Sequence, residues 1–183
     1  MNKLLLIAGD MAAGKSTFSH MLGARYSLPV FNKDTLKEVM GKSIPFANRE
    51  ENLRLSRAAV DLMLFLFEQL APLHTSLILE ANFHGEEMER LRALASEKGY
   101  ELMILALQGD LPTLHQRYLY RTESGQRDAV HLSVKLEDYP SFCAYMEKAR
   151  ARLPEDALLV DATAFSYQTD PALLERLDNF FLA

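Results

Sequence analysis

Short apolar runs alternate along the chain with longer segments in which apolar residues recur every three or four positions. The uninterrupted runs are typical of buried parallel strands, and they predict strands at residues 3–8, 28–31, 76–81, 102–107 and 157–161. The recurring positions are typical of helices that bury one face, as in residues 49–71 and 86–98. Strands that alternate with helices form a parallel sheet covered on both sides. The pattern therefore predicts an α/β fold.

The turn after the first predicted strand carries a phosphate-binding motif, G-x-x-x-x-G-K-[ST]. The motif residues are Gly9, Asp10, Met11, Ala12, Ala13, Gly14, Lys15, Ser16 and Thr17. Glycines let the backbone approach an anion closely, and N–H groups of the turn and of the following helix donate to phosphate. The lysine of this motif reaches the β- and γ-phosphates, and the serine hydroxyl ligates Mg²⁺. We predict that all of these residues bind nucleotide, that Lys15 is catalytic and that Ser16 is a metal ligand.

Acidic side chains lie at the ends of two further predicted strands, where ligands bind in parallel sheets. Glu80 lies near the end of the third strand, at the position expected for a carboxylate that binds Mg²⁺. Asp34 follows the second strand, and we predict that it faces the phosphate acceptor. Thr35 and Glu38 have the spacing of a capping box, which predicts a helix start at Thr35. Asp34 is then left without a capping role and becomes a candidate catalytic residue.

Three arginines precede and enter a polar loop. Arg117 and Arg121 are four residues apart and therefore share one face of a helix, and Arg127 follows in the loop. Cations at such a position contact ATP phosphates or stack on adenine. We predict that Arg117 binds nucleotide, that Arg121 and Arg127 are catalytic cations, and that residues 121–138 form a lid. His131, a lone histidine in the same segment, is predicted to be structural or solvent-facing.

Composition and charge narrow the class of protein further. The 183 residues are 49% hydrophobic and 25% charged, as in a soluble globular protein, and we predict a single domain over 1–183. The net charge of −5 disfavours binding to nucleic acid or to membranes. The single cysteine, Cys143, excludes an internal disulfide, and no signal peptide or membrane span is recognisable, so a cytoplasmic location is predicted. The histidines and the cysteine lack the spacing of zinc ligands.

Four sequence features together resemble one group of enzymes. They are the G-x-x-x-x-G-K-S-T motif, the aspartate after the second strand, Leu-Ile-Leu-Glu-Ala-Asn-Phe, and Gln-Arg-Tyr-Leu-Tyr-Arg. This set resembles the small P-loop kinases often labelled AAA-family ATPases. The group includes zeta-toxin-like and chloramphenicol-phosphotransferase-like kinases and the kinase domain of polynucleotide kinases.

The resemblance implies a three-layer, nucleoside-monophosphate-kinase-like P-loop fold. Its five-stranded parallel sheet would have the order 2-3-1-4-5, with a lid between the fourth and fifth strands. The resemblance also implies that Asp34 is the base toward an acceptor hydroxyl and that Arg121 or Arg127 belongs to the lid. The segment from Arg127 to His131 is similar to a lid arginine followed by a histidine, although Val130 replaces a frequent glycine. Glu80 stands where relatives often have aspartate.

These observations predict an ATP- and Mg²⁺-dependent kinase. The acceptor hydroxyl belongs to a small molecule or to a 5′ nucleic-acid end, and the acidic charge favours the small molecule. We expect the acceptor site in the helical segment at about 34–75, where Arg49, Arg54 and Arg57 are available for an anionic substrate. The loop after Asp161 is expected to frame adenine. Two alternatives stay open: an ATP hydrolase coupled to a partner, although no required protein partner is evident, and a nucleotide-binding regulator without chemistry.

Overall fold

A computed structural model describes residues 1–124, 129–131 and 136–182 of the chain. Every predicted strand is present, and the strands are β1 (Asn2–Gly9), β2 (Val30–Asn32), β3 (Leu77–Glu80), β4 (Tyr100–Gln108) and β5 (Leu158–Asp161). The helices are α1 (Lys15–Tyr26), α2 (Lys33–Gly41), α3 (Arg49–Leu70), α4 (Glu86–Glu97), α5 (Leu111–Glu123), α6 (Tyr139–Arg150) and α7 (Pro171–Leu182). Short 3₁₀ turns lie at Ala71–Leu73, Ala129–His131 and Phe165–Thr169.

The strands form one parallel sheet in the order β2-β3-β1-β4-β5, as the sequence predicts. The central strand is β1, in which Leu6 lies beside Leu79 of β3 and Ile104 of β4. Successive side chains of a strand point to opposite faces. Leu5 and Ile7 therefore pack in a core with α1, α5, α6 and α7, whereas Leu6 packs in a second core with α3 and α4. Helices cover both faces of the sheet and give three layers.

The start of α2 differs from the prediction. Asn32, the last residue of β2, is the N-cap, and its side-chain oxygen accepts a hydrogen bond of 3.0 Å from the Thr35 backbone N–H. The predicted capping box of Thr35 and Glu38 is therefore wrong, because an asparagine at the strand end already caps the helix. The chain passes from β2 into α2 without a loop, which places Asp34 in the first helical turn, next to the carboxyl end of the strand.

The longest helix, α3, contains the most apolar run outside the sheet. Met63 and Phe67 of this run are fully buried, whereas Phe65 is 53% exposed. The run is therefore one face of an amphipathic helix that packs on the sheet. In the described part of the chain, no helix combines the length and the apolar character needed to span a membrane.

Candidate active site

The loop between β1 and α1 requires glycine at two positions. Gly9 and Gly14 have φ angles of 118° and 86°, which other residues rarely adopt. A Cβ on Gly9 would lie 2.1 Å from the Leu107 carbonyl oxygen, and one on Gly14 would lie 2.6 Å from the Tyr167 hydroxyl. Gly14 is the N-cap of α1, and no described side chain caps this end of the helix. The first N–H groups of α1 are therefore available to an anion such as phosphate.

The Lys15 side chain is fixed inside this loop. Its Nζ donates hydrogen bonds to the carbonyl oxygens of Gly9, at 3.1 Å, and Asp10, at 2.7 Å. Burial lowers the pKa of Lys15, and the nearby carboxylates of Glu80 and Asp34 act in the opposite direction. The ammonium group is thus held at the phosphate-binding turn by groups that do not neutralise it.

The buried carboxylate of Glu80 lies at the centre of a polar cluster. It accepts hydrogen bonds of 3.0 Å from the hydroxyls of Ser16 and Ser19, and another from the side-chain amide of Asn32. The Asn32 amide also donates to the Ser16 hydroxyl at 3.1 Å. Magnesium takes oxygen ligands, and it is usually bound by one or two protein groups together with waters and substrate phosphates. The Ser16 and Glu80 oxygens fit that requirement.

Sequence reasoning missed Asn32 and Ser19 in this cluster. Asn32 carries a recognisable signal, because asparagine at the end of a strand and before a helix is a favoured N-cap. Its second role, toward Glu80 and Ser16, depends on β2 and β3 being neighbours in the sheet. Ser19 lies one helical turn after Ser16, just beyond the motif, and carries no signal of its own.

The side chain of Asp10 points away from the phosphate-binding side and into the protein. It is buried, accepts a hydrogen bond of 3.0 Å from the Gly109 N–H, and forms an ion pair with Arg150 of α6. The Arg150 guanidinium also donates to the Gly109 carbonyl oxygen at 2.5 Å. Its interaction with Asp10 raises the pKa of Arg150 above its usual value. Arg150, which no sequence pattern indicates, therefore stabilises the loop from the side opposite the cleft.

Arg117 and Phe165 form a flat surface beside the loop. The Arg117 guanidinium lies 4.1 Å from the centre of the Phe165 ring, and it donates to the carbonyl oxygens of Ala162, at 2.9 Å, and Thr163, at 2.6 Å. A cation over a ring in this geometry is attractive. Arg117 is therefore fixed to the segment after β5, which is the segment expected to frame adenine.

A cleft of about 780 Å³ brings the predicted site residues together. Its lining includes most of the phosphate-binding loop and the following predicted residues: Lys15, Ser16, Asp34, Glu80, Arg117 and Arg121. Gly9 and Asp10 lie behind the loop and outside the lining. Arg127 lies outside the described residues, as does part of the predicted lid over residues 121–138.

The described turn within the predicted lid, Ala129–His131, is attached to the helices that follow β2. His131 Nε2 lies 2.8 Å from a carboxylate oxygen of Glu38. The Val130 carbonyl oxygen accepts hydrogen bonds from Lys37, at 3.2 Å, and from Asn52, at 2.8 Å. Burial lowers the pKa of Lys37. His131 is therefore a member of the cleft lining and makes a structural contact, and it is not solvent-facing.

The arginines expected to serve an anionic acceptor lie elsewhere. Arg49, Arg54 and Arg57 are exposed on α3, and none of them lines the cleft. Arg54 pairs instead with Glu50 one turn away, at 2.7 Å. The expectation therefore fails for this cleft, because the helix turns these side chains to its outer face.

The sheet order and the phosphate-binding loop define a P-loop protein with a kinase-like fold. A family model described as an AAA domain matches residues 4–137, and the chain belongs to that family. None of the curated protein sequences compared with this chain matches it significantly.

Solved structures agree with this class. A candidate kinase from Chloroflexus aurantiacus is 25% identical, with 98% of each chain covered and a TM-score of 0.78. Shikimate kinase from Bacteroides thetaiotaomicron is 15% identical, with 99% of each chain covered and a TM-score of 0.62. A gluconokinase from Sinorhizobium meliloti is 15% identical, with 98% of this chain and 96% of that chain covered and a TM-score of 0.58. The resemblance to small P-loop kinases is confirmed.

Proposed function

We propose that the protein is an ATP-dependent phosphotransferase that moves the γ-phosphoryl group of ATP to a hydroxyl of a small molecule. The observation that carries this proposal is the position of Asp34. It lines the same cleft as Lys15, Ser16 and Glu80, and its side chain makes no hydrogen bond with any described residue. A carboxylate with open acceptor positions beside a phosphate-binding loop suits a base for an acceptor hydroxyl.

Each residue has a distinct role in the proposed reaction. The loop N–H groups and Lys15 hold the phosphates of ATP, and Arg117 holds the nucleotide at the side of Phe165. Bound at Ser16 and Glu80, Mg²⁺ would supply positive charge to the phosphate oxygens. Arg121 lines the cleft and adds a further cation toward the transferred group.

Asp34 acts on the acceptor. It accepts the hydroxyl proton as the acceptor oxygen forms its bond to the γ-phosphorus. The bond from that phosphorus to the bridging oxygen breaks at the same time, and ADP leaves with the bonding electrons. The predicted lid over residues 121–138 would exclude water during this step. The lid, and the catalytic role of Arg127 within it, stay predictions.

A transfer screen tests the proposal. The protein is incubated with γ-labelled ATP and Mg²⁺, against pooled hydroxyl metabolites and against oligonucleotides with a free 5′-hydroxyl. We expect a labelled metabolite. Release of labelled phosphate with no labelled product would favour an ATP hydrolase, and nucleotide binding without turnover would favour a regulator.

A further inference from the structure

The charged groups of the cleft lining come from different elements, and this bears on the acceptor. The described cations of the lining are Lys15, Arg117 and Arg121, which come from the phosphate-binding loop and from α5. The described carboxylates are Glu80, which belongs to the predicted metal site, and Asp34 and Glu38 of α2, the second of which lies 2.8 Å from His131. The negative charge that is left for the acceptor therefore lies on α2, and we call this side of the cleft its acceptor end.

Resting on the proposed function, we infer that the acceptor is a polyhydroxy compound that carries no carboxylate or phosphate group. A carboxylate accepts hydrogen bonds and cannot donate them when ionised. The Asp34 carboxylate has no hydrogen bond with the described residues, and Glu38 uses one oxygen toward His131. The remaining oxygens of both side chains can accept from neighbouring hydroxyls, or from an ammonium group, of one ligand.

The basic residues of α2 and α3 do not line the cleft. Lys37 is on α2, but its buried ammonium group donates to the Asn52 side chain and to the Val130 carbonyl oxygen. Lys33, at the start of the same helix, is close enough for its charge to act on Lys15, but it is absent from the described lining. The exposed arginines of α3 also lie outside it. No described cation from α2 or α3 thus contributes to the wall of the cleft.

An anionic acceptor would meet like charge at this end of the cleft. Like charges brought together across an interface weaken binding, and a protein can use such repulsion to discriminate against the wrong partner. A neutral or ammonium-bearing polyol avoids that cost. The α2 carboxylates therefore select the acceptor by its charge as well as by its hydroxyl groups.

The closing experiment measures transfer from labelled ATP to three pools of matched compounds. The neutral pool contains sugars such as glucose and nucleosides with a free 5′-hydroxyl. The cationic pool contains amino sugars such as glucosamine. The anionic pool contains gluconate, glucuronate, nucleoside 3′-monophosphates and 5′-hydroxyl oligonucleotides. We expect kcat/KM for the preferred neutral or cationic compound to exceed that of its anionic counterpart by at least about tenfold, because one uncompensated charge contact is worth more than 1.4 kcal/mol.

One substitution tests whether the α2 carboxylates cause the preference for neutral or cationic acceptors. Glu38→Gln is expected to lower kcat/KM for the preferred polyol by about tenfold, as for loss of a charged hydrogen-bond acceptor, and to narrow the gap to the anionic counterpart. Glu50→Gln, on the outer face of α3 and paired with Arg54, is the matched control and should change neither value. Circular dichroism and thermal unfolding of both variants establish that each is folded.

The outcomes separate the inference from the proposed function. Preferred transfer to the anionic pool, oligonucleotides included, would overturn the inference while the kinase function stands. An unchanged charge preference in a folded Glu38→Gln variant would overturn the role of α2. Hydrolysis of ATP with no transfer to any pool would overturn the proposed function and the inference with it.

Discussion

The nucleotide end and the acceptor end of the cleft differ in how their polar groups are held. Lys15, Ser16 and Glu80 are fixed by hydrogen bonds within the protein. Asp34 is exposed, and its carboxylate has no hydrogen bond with the described residues. Phosphoryl transfer depends on charges that are already in position, because reorganisation during the reaction is costly. Under the proposed function, one end is preorganised for a constant reaction, whereas the other keeps its hydrogen-bonding capacity for the acceptor.

The largest effect is expected when the Asp34 carboxylate is removed. Asp34→Asn keeps the shape of the side chain but removes its charge and basicity, and we expect transfer to fall by about 10²–10⁴, the usual span for general-base loss. ATP affinity should stay nearly unchanged, because the nucleotide end is built from other groups. Affinity and transfer are measured on the same purified variant.

Asp61→Asn supplies the control for that measurement. Asp61 is an exposed acid of α3 that pairs with Arg90 at 2.8 Å, outside the cleft. The Asp61→Asn variant should transfer phosphate at the same rate as the unsubstituted protein. Normal transfer by Asp34→Asn would remove this residue from the chemistry, and a collapse of ATP binding would assign it to the metal site instead.

The preorganised end is tested by Lys15→Ala. Loss of one positioned charge stabiliser is expected to lower transfer by at least about 100-fold, while far-ultraviolet circular dichroism retains the α/β spectrum. Lys148→Ala, an exposed lysine of α6, controls for the change in net charge. If the Lys15 variant turned over ATP normally, the phosphate-binding loop would not be the catalytic site.

The support behind the loop is tested by Arg150→Met. The change leaves the buried Asp10 carboxylate without its cation, and removal of one partner from a buried ion pair costs about 3–5 kcal/mol in the free energy of unfolding. We expect the lower value, because Arg150 is itself 27% exposed. Urea denaturation measures the loss.

The matched change Arg90→Met breaks an exposed pair and should cost about 1 kcal/mol or less. Equal losses for the two arginine variants would show that the pair behind the loop is no stronger than a surface contact. The Asp10–Arg150 pair would then add little to the stability of the phosphate-binding loop.

The smallest effect is expected where the two ends meet, at Asn32. Asn32→Ala removes a helix cap, worth about 1 kcal/mol, together with the amide that holds Ser16 and Glu80. Asn48→Ala removes a comparable cap at α3, where the side chain accepts from the Glu51 N–H at 3.0 Å, away from the cleft. We expect the larger stability loss from Asn32→Ala, because this variant also loses a hydrogen bond to the buried Glu80 carboxylate, and thermal unfolding measures both losses.

The Mg²⁺ dependence of transfer separates the two asparagines. Only Asn32→Ala should require a higher Mg²⁺ concentration for half-maximal rate, because only Asn32 contacts the predicted metal ligands. Identical magnesium titration curves for the two variants would limit Asn32 to capping.

Much of the fold was predictable because its signals are local. Each strand contains a short apolar run, and the phosphate-binding loop is one contiguous motif from Gly9 to Thr17. The start of α2 was not predictable with the same certainty. Asn32 and Thr35 are both favourable N-cap residues, and only the end of β2 decides between them.

The rest of the site depends on contacts between distant parts of the chain. Asp10 and Arg150 are 140 residues apart, and Glu38 and His131 are 93 residues apart. Helical spacing identifies which side chains share a face, but it does not identify the partner on another element. Arg54 illustrates the point. Its sequence position suited an anionic substrate, but it forms an ion pair with Glu50 one turn away.

The attachment of α2 has a consequence for how specificity can change. Asn32 connects the start of the helix to the side chains of Ser16 and Glu80, and Lys37 connects its inner face to Asn52. Thr35 and Glu38 lie on the remaining face, toward the cleft. Under the proposed function, we expect substitutions there to alter the preferred acceptor while the arrangement of Lys15, Ser16 and Glu80 persists. Natural divergence and directed evolution thus have a short, separately adjustable stretch of helix on which to select new acceptors.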